Sequence, residues 1–161
     1  MFRYADQKTL DDHMASPPVK DMITYMTSNP IVEGTPTIRN LSWLNDMVFT
    51  KSEVRQLKDP FVIFADIELL PGKREDTLKY WKGNLDSSKQ ESGCFIYGFA
   101  HDSAIADHMY TFEVYESEDF LWNTHINAPA VQETIEKTKD VRRNLVLSKL
   151  KLHAGFLSRD G

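Results

Sequence analysis

Cysteine is almost absent from this 161-residue sequence, and so are long apolar runs and clusters of basic residues. The single cysteine, Cys94, excludes an intrachain disulfide and is typical of a reducing, cytoplasmic setting. No run of about 18 apolar residues is present and the first residues lack an apolar signal core, so we expect neither a membrane span nor secretion through a signal peptide. The net charge of −5 without a Lys/Arg cluster argues against nucleic-acid binding.

Motifs for the common cofactors are also missing. The sequence has no glycine-rich phosphate loop, no serine nucleophile elbow and no zinc-ligand spacing. We therefore expect no stoichiometric metal, haem or flavin in the purified protein. His101 and His108 lie beside Asp102 and Asp107 in the sequence and could form a metal site, but solvated residues next to a turn rarely do so.

What the sequence does contain, after about residue 56, is an alternation of strand and helix patterns. The apolar run from Phe61 to Leu70 is typical of a central strand, and residues 73–90 repeat apolar side chains at helical spacing. Two period-2 segments then predict a hairpin, one face of which presents the side chains of Phe95, Tyr97, Phe99, His101, His108, Tyr110 and Phe112. A helix through His125 and a strand over residues 141–156 complete the order β-α-β-β-α-β, the ferredoxin-like arrangement.

Residues 1–55 repeat part of this pattern. A histidine, a proline and a valine recur at identical spacing in two places: His13, Pro17 and Val19, then His125, Pro129 and Val131. The repeat predicts a helix in two pieces over residues 7–27 and a long strand over residues 37–50. We therefore interpret residues 1–55 as a partial copy and residues 56–161 as a complete domain, and we expect the strand of the partial copy to pair with the sheet of the complete one.

Four short motifs occur in a fixed order in the complete domain. Pro71-Gly72 ends a strand, Glu91-Ser-Gly-Cys94 precedes one, Glu113-Val-Tyr-Glu116 ends another, and a helical His125 is followed by Pro129. In order and spacing, over about residues 61–156, they resemble the antibiotic biosynthesis monooxygenase family of the dimeric α+β barrel superfamily. The resemblance implies a ferredoxin-like α+β domain whose open sheet face is covered by a second domain, and hence a homodimer.

The resemblance also implies oxygenation without a cofactor. In the family, the protein removes a phenolic or anthrone proton and holds the carbanion in an apolar cavity, where O₂ reacts with it directly. The implied partners are a small aromatic substrate of polyketide or related secondary metabolism and O₂, with no metal or flavin. Ala130 stands where a second histidine often follows in the family. Haem breakdown is disfavoured, because Ala65 and His125 occupy the places of an Asn and a Trp in the haem-degrading members.

His125 is the leading catalytic candidate, because a neutral imidazole can take and return a proton near neutral pH. A purely structural role is the alternative, and the recurrence of the histidine at His13 supports it. Asp66 lies within an apolar strand, so it needs a partner such as Arg74 or His125, or acts as a base itself. Tyr97 is the third catalytic candidate.

A set of mostly aromatic side chains could line the substrate pocket: Trp81, Asn84, Phe99, His101, His108, Tyr110 and Trp122. An aromatic-rich core is the alternative for these residues. Cys94 has no evident activating neighbour and is interpreted as a buried, inert thiol. Two other functions stay open, an isomerase, cyclase or decarboxylase acting in the same cavity, and a small-molecule-binding protein without catalysis.

Overall fold

The computed structural model of the chain describes residues 4–29, 31, 39–153 and 157. Two compact units are present, Met1–Ile38 and Arg39–Gly161. In the described part of the chain, no helix is both long and apolar enough to cross a membrane.

The first unit contains two consecutive helices, α1 (Gln7–Ala15) and α2 (Pro17–Ser28). The Asp6 side chain caps α1 by accepting a hydrogen bond from the Thr9 backbone N–H at 2.7 Å. Ser16 has an extended backbone and Pro17 begins α2, which separates the two helices. The predicted helix in two pieces is therefore confirmed.

The second unit is a five-stranded antiparallel sheet with helices packed on it. Its strands are β1 (Leu41–Thr50), β2 (Phe61–Leu69), β3 (Cys94–Asp102), β4 (His108–Tyr115) and β5 (Arg142–Leu150), in the order β1-β3-β4-β2-β5. A 3₁₀ turn, Ser52–Gln56, follows β1. The helices are α3 (Arg74–Ser88), α4 (Glu118–Phe120) with a π-helical turn over Leu121–His125, and α5 (Pro129–Thr138). The predicted β-α-β-β-α-β order from β2 to β5 is confirmed.

Strand β1 joins the sheet by pairing with β3, as expected for the strand of the partial copy. Strand β1 begins at Leu41. Residues 37–38 of the strand predicted there lie outside the described residues, and so do residues 154–156 of the last predicted strand. The compact units divide between Ile38 and Arg39, so β1 belongs to the second one. The interpretation of residues 1–55 as a partial copy of residues 56–161 stays a prediction.

The two faces of the sheet bury different residues. Ile63, Ile67 and Leu69 of β2 pack with Trp81 and Leu85 of α3, whereas Val62 belongs to a smaller cluster on the opposite face. That cluster also contains Val54 of the 3₁₀ turn, Ile96 and Val114. The main core therefore lies between the sheet and its helices.

The predicted aromatic face of the β3–β4 hairpin is wrong. Tyr97 pairs with Glu113 and Phe99 pairs with Thr111, so these four side chains share the helix-covered face. His108, Tyr110 and Phe112 alternate with Thr111 and Glu113 and project to the opposite face. Phe95 also leaves the predicted set, because a register shift between Cys94 and Ile96 turns it towards the smaller cluster.

Candidate active site

A cavity of about 110 Å³ lies between the sheet and its helices. Most of its wall is apolar and comes from β2, β5 and the segment from Leu121 to Ile135. Aromatic side chains of Trp81, Tyr97 and Trp122 add to it. The polar side chains on the wall are those of Asn84, Thr111, Glu113, His125, Thr134 and Arg142. The arrangement is that of a small-molecule site, an apolar pocket with a few placed polar groups.

His125 is held on the cavity wall by an acidic partner. The Ser117 side chain caps α4, and the Ile126 N–H bonds to the Leu121 carbonyl at 2.9 Å, which closes the π-helical turn that carries His125. His125 is 2% exposed, and its Nδ1 lies 2.9 Å from Oε2 of Glu91. Because an ionised carboxylate only accepts hydrogen bonds, this contact places a proton on Nδ1, and in the neutral imidazole it leaves the lone pair on Nε2. The imidazole is thereby oriented to accept a proton.

Two tyrosine rings pack against this imidazole. The ring centroids of Tyr97 and Tyr115 lie 5.4 Å and 5.1 Å from that of His125. The Tyr97 hydroxyl accepts a hydrogen bond from Asn84 Nδ2 at 3.1 Å, and Ser88 Oγ donates to Asn84 Oδ1 at 3.1 Å. Burial raises the pKa of Tyr97 well above its usual value. Tyr97 therefore stays a neutral phenol at physiological pH and can orient a ligand by hydrogen bonding.

Glu113 is a carboxylic acid in the core beside the cavity. It is 8% exposed, and its two oxygens accept hydrogen bonds from Thr111 Oγ1 at 2.6 Å and from the Tyr115 hydroxyl at 2.8 Å. Burial raises the pKa of this carboxyl, although the two hydroxyl groups and His125 act in the opposite direction. A group of this kind holds or releases a proton closer to neutral pH than an exposed glutamate does.

The two tryptophans of the cavity differ in exposure. Trp81 is buried and packs on Phe99, with ring centroids 5.6 Å apart, and its Nε1 has no hydrogen-bond partner among the described residues. Trp122 is 40% exposed, and its Nε1 donates to Glu118 Oε1 at 3.2 Å. Trp81 therefore forms part of the inner wall, and Trp122 lies where the cavity meets solvent.

Asp66, His108 and Tyr110 lie on the opposite face of the sheet. Asp66 Oδ1 is 3.0 Å from Nδ1 of His108, so the predicted pairing of Asp66 with Arg74 or His125 is wrong. The reason is the strand register, which points Asp66 away from the helices while Ala65 and Ile67 line the cavity. Tyr110 packs beside His108, with ring centroids 6.2 Å apart. His101 is half-buried on β3 and does not line the cavity.

Comparison with known proteins concerns the fold that carries this cavity. Residues 60–137, from β2 to α5, match the family model of antibiotic biosynthesis monooxygenases. This part of the chain is an antibiotic biosynthesis monooxygenase domain. An uncharacterized Synechocystis protein is 28% identical over 89 residues, which cover 55% of this chain and 60% of that protein's length. The chain thus spans only part of this relative.

Solved structures share the fold of the monooxygenase domain. A Fusobacterium nucleatum protein, provisionally named a monooxygenase, has a TM-score of 0.78 and 20% identity over 92% of this chain and 65% of that one. A Bacteroides thetaiotaomicron protein, provisionally named an antibiotic biosynthesis monooxygenase, has a TM-score of 0.59 and 21% identity over 65% of this chain and 99% of that one. At these identities the likeness shows the fold, and the family match supports a monooxygenase-like role at family level.

The monooxygenase domain gathers only part of the predicted site. The predicted catalytic residues His125 and Tyr97 meet at the cavity together with Trp81, Asn84 and Trp122, and Phe99 lies behind its wall. Asp66, His101, His108 and Tyr110 are not brought to it. Among the described residues, no cluster of three or more potential metal ligands occurs. Cys94 is fully buried and its pKa is raised by burial, which suits an unreactive thiol.

Sequence reasoning missed Glu91 and Glu113 as site residues. Both belong to motifs that carry the family resemblance, so the sequence singled out these residues but indicated no role for them in the site. Glu113 stands between Thr111 and Tyr115 at alternate positions of β4, and all three are buried. An acid flanked in this way by two hydroxyl residues on the same strand face was the available indication of a buried, hydrogen-bonded carboxyl.

Proposed function

We propose that this protein is a cofactor-independent monooxygenase that oxidises a small phenolic or anthrone-type aromatic metabolite by deprotonation and direct reaction with O₂. The observation that carries the proposal is the apolar cavity with the Glu91–His125 pair on its wall. An apolar cavity suits a flat aromatic ring, and a neutral imidazole held by a carboxylate suits the removal of its proton.

The proposed reaction needs no reductant other than the substrate. His125 Nε2 accepts a proton from the substrate, and the resulting carbanion transfers one electron to O₂. The two radicals combine to form a carbon–oxygen bond, and the peroxide anion takes the proton back from His125. Loss, as a proton, of the hydrogen that remains on the oxygenated carbon and of hydroxide from the O–O bond gives a carbonyl group and, after protonation, water. One oxygen atom enters the product and the other leaves as water.

The cavity volume sets a limit on the substrate. An engineered protein cavity of about 150 Å³ holds one benzene molecule. At about 110 Å³, this cavity accepts at most a single ring without movement of its wall. A larger anthrone needs displacement of the partly exposed Trp122. We therefore propose single-ring phenols and hydroquinones as the first substrates to test.

We further propose that the protein acts as a homodimer, with a second copy covering β5. Among the described residues this strand pairs with β2 alone, so its other edge has no strand partner there for its backbone hydrogen-bonding groups. Its large apolar side chains are exposed on both faces: Leu145, Val146, Leu147 and Leu150. A second copy would bury this apolar surface and satisfy the edge.

Oxygen uptake under metal-free conditions tests the proposal. A chelator-treated protein should consume O₂ with a hydroquinone or an anthrone and form the hydroxyquinone or the anthraquinone, each with one oxygen atom taken from O₂. His125→Ala should reduce turnover by at least about tenfold, since general-base catalysis typically contributes about 10²–10⁴ in rate. His13→Ala, which changes the corresponding histidine of the repeat, is the matched control and should leave turnover within about twofold.

Other outcomes would contradict the proposal. Turnover of the compound without O₂ consumption would indicate an isomerase, cyclase or decarboxylase in the same cavity. Binding without turnover would indicate a small-molecule-binding protein. Equal, small effects of the two histidine changes would show that both histidines are structural.

A further inference from the structure

Glu113 occupies a position where an apolar residue would stabilise the fold more. Its neighbours on the helix-covered face include Ile63 and Leu121, and it is almost completely buried. Burying a carboxyl costs free energy, which hydrogen bonds offset only in part. Thr111 and Tyr115 engage one oxygen each, at 2.6 Å and 2.8 Å, so the carboxyl is held in one orientation. The fold thus maintains a fixed acid at the cavity that the packing does not require.

The proposed reaction needs two proton-transfer groups in its last step. When the O–O bond breaks, the oxygenated carbon of the substrate loses its remaining hydrogen as a proton to a base, and the departing hydroxide takes a proton from an acid. One imidazole cannot act as base and acid at the same moment. His125 is neutral again once it has protonated the peroxide, so it is available as the base, and the acid must be a different group.

We infer that Glu113 is the second catalytic acid–base residue of the cavity and donates the proton that converts the departing hydroxide to water. The proton that His125 has removed from the carbon then passes to Glu113, and both groups return to their starting states. This inference rests on the proposed function. Glu113 lines the same cavity as His125, and the Tyr115 ring packs against the imidazole while its hydroxyl bonds to the Glu113 carboxyl.

The burial of Glu113 favours its acid form. Burial raises the pKa of the carboxyl, and the nearby Glu91 carboxylate raises it further, whereas Thr111, His125 and Tyr115 lower it. Tyr97 and Cys94 of β3 also interact with Glu113, and burial raises the pKa of each, so neither carries a negative charge at neutral pH. Arg142 of β5 lies on the cavity wall as well. Glu113 is therefore held towards its protonated form, as the acid of an acid–base pair must be.

Glu113→Gln tests the inference, because the amide keeps the size of the side chain but cannot donate a proton as an acid. Its oxygen can accept from one of the two hydroxyl groups, and the other hydroxyl can rotate to accept from the amide nitrogen. With an anthrone, or with a phenol that the wild type oxygenates, this variant should consume O₂ and accumulate the organic hydroperoxide. Formation of the quinone should fall at least about 100-fold. Glu113→Asp should recover part of the rate. Glu136→Gln, on the exposed surface of α5, is the charge-matched control and should retain the wild-type ratio of quinone to hydroperoxide. An unchanged ratio in Glu113→Gln would overturn the inference.

A second measurement separates this inference from the proposed function. Phenol that enters the cavity without O₂ excludes water from Glu113, so the wild type should take up protons on binding in a pH series above the usual glutamate pKa of 4.5. Calorimetry in two buffers with different ionisation enthalpies measures this uptake. Glu113→Gln should bind phenol without it. Proton uptake that persists in Glu113→Gln would overturn the assignment of Glu113 as the acid of the cavity. Absence of phenol binding to the wild type would overturn it as well. Lack of O₂ consumption alone would contradict the proposed oxygenation and leave the proton uptake as the test of Glu113.

Discussion

Gly93, in the segment between α3 and β3, provides a sharp test of the packing around the site. A Cβ atom at this position would lie 2.5 Å and 2.6 Å from two ring carbons of Phe120 and 2.8 Å from the carboxyl carbon of Glu116. These distances are below van der Waals contact, so Gly93→Ala must displace the Phe120 ring. Overpacking of a core costs about 1–3 kcal/mol, and exposing a buried phenylalanine costs about 1.5–3 kcal/mol. Both routes predict a loss of about 2 kcal/mol in the free energy of unfolding.

Gly83→Ala is the matched control for this change. Gly83 is an exposed position within α3, and a Cβ atom there would meet no other atom within 4 Å. The same substitution should stabilise the helix by about 1 kcal/mol, because alanine has a higher helix propensity than glycine. Urea unfolding followed by circular dichroism gives both values. A Gly93→Ala protein as stable as the wild type would refute the close packing of Phe120 on Gly93, and a destabilised Gly83→Ala protein would refute the open environment of Gly83.

Two further predictions concern charge and assembly. Because burial raises the pKa of Glu113 above its usual value of 4.5, the folded state prefers the protonated acid, and the wild type should lose stability relative to Glu113→Gln as pH rises from about 4.5 through the folded-state pKa. Urea unfolding of both proteins at several pH values checks this, and parallel pH profiles would contradict it. Val146 is 51% exposed on β5, so Val146→Lys should convert the proposed dimer to a monomer in size-exclusion chromatography with light scattering. A wild type that is monomeric at the same concentration would refute the proposed interface.

The order of the elements could be predicted from the sequence because each element has its own local pattern. The apolar run of β2 and the helical spacing of α3 depend on neighbouring residues only. The start of α2 depends on Ser16 and Pro17, whose preferences are local as well. These features need no knowledge of how the strands pair.

The site was only partly predictable because its residues depend on register. Period-2 alternation separates Tyr97 and Phe99 from their neighbours, and likewise Tyr110 and Phe112, but it does not say which pair faces the helices. Pairing of Tyr97 with Glu113 decides this, and a shift by one residue would have exchanged the two faces of β4. The helix-covered face of β4 carries the polar Thr111 and Glu113, and the opposite face carries aromatic side chains, so hydrophobic patterning favoured the wrong face as the one turned to the helices. For this reason Asp66, His108 and Tyr110 were grouped with a cavity on the opposite side of the sheet.

The motifs that carry the family resemblance also contact one another. Glu91 bonds to His125, Gly93 leaves space for Phe120, and the Tyr115 hydroxyl that bonds to Glu113 belongs to a ring packed on His125. Phe120 precedes the π-helical turn. Its close packing on Gly93 therefore helps to fix the position of that turn, and with it the position of the His125 imidazole. The spacing of these short motifs along the chain therefore follows from the packing needed to hold one histidine against a carboxylate. If this is correct, Gly93→Ala should reduce turnover as well as stability, because displacement of Phe120 also moves the turn that carries His125.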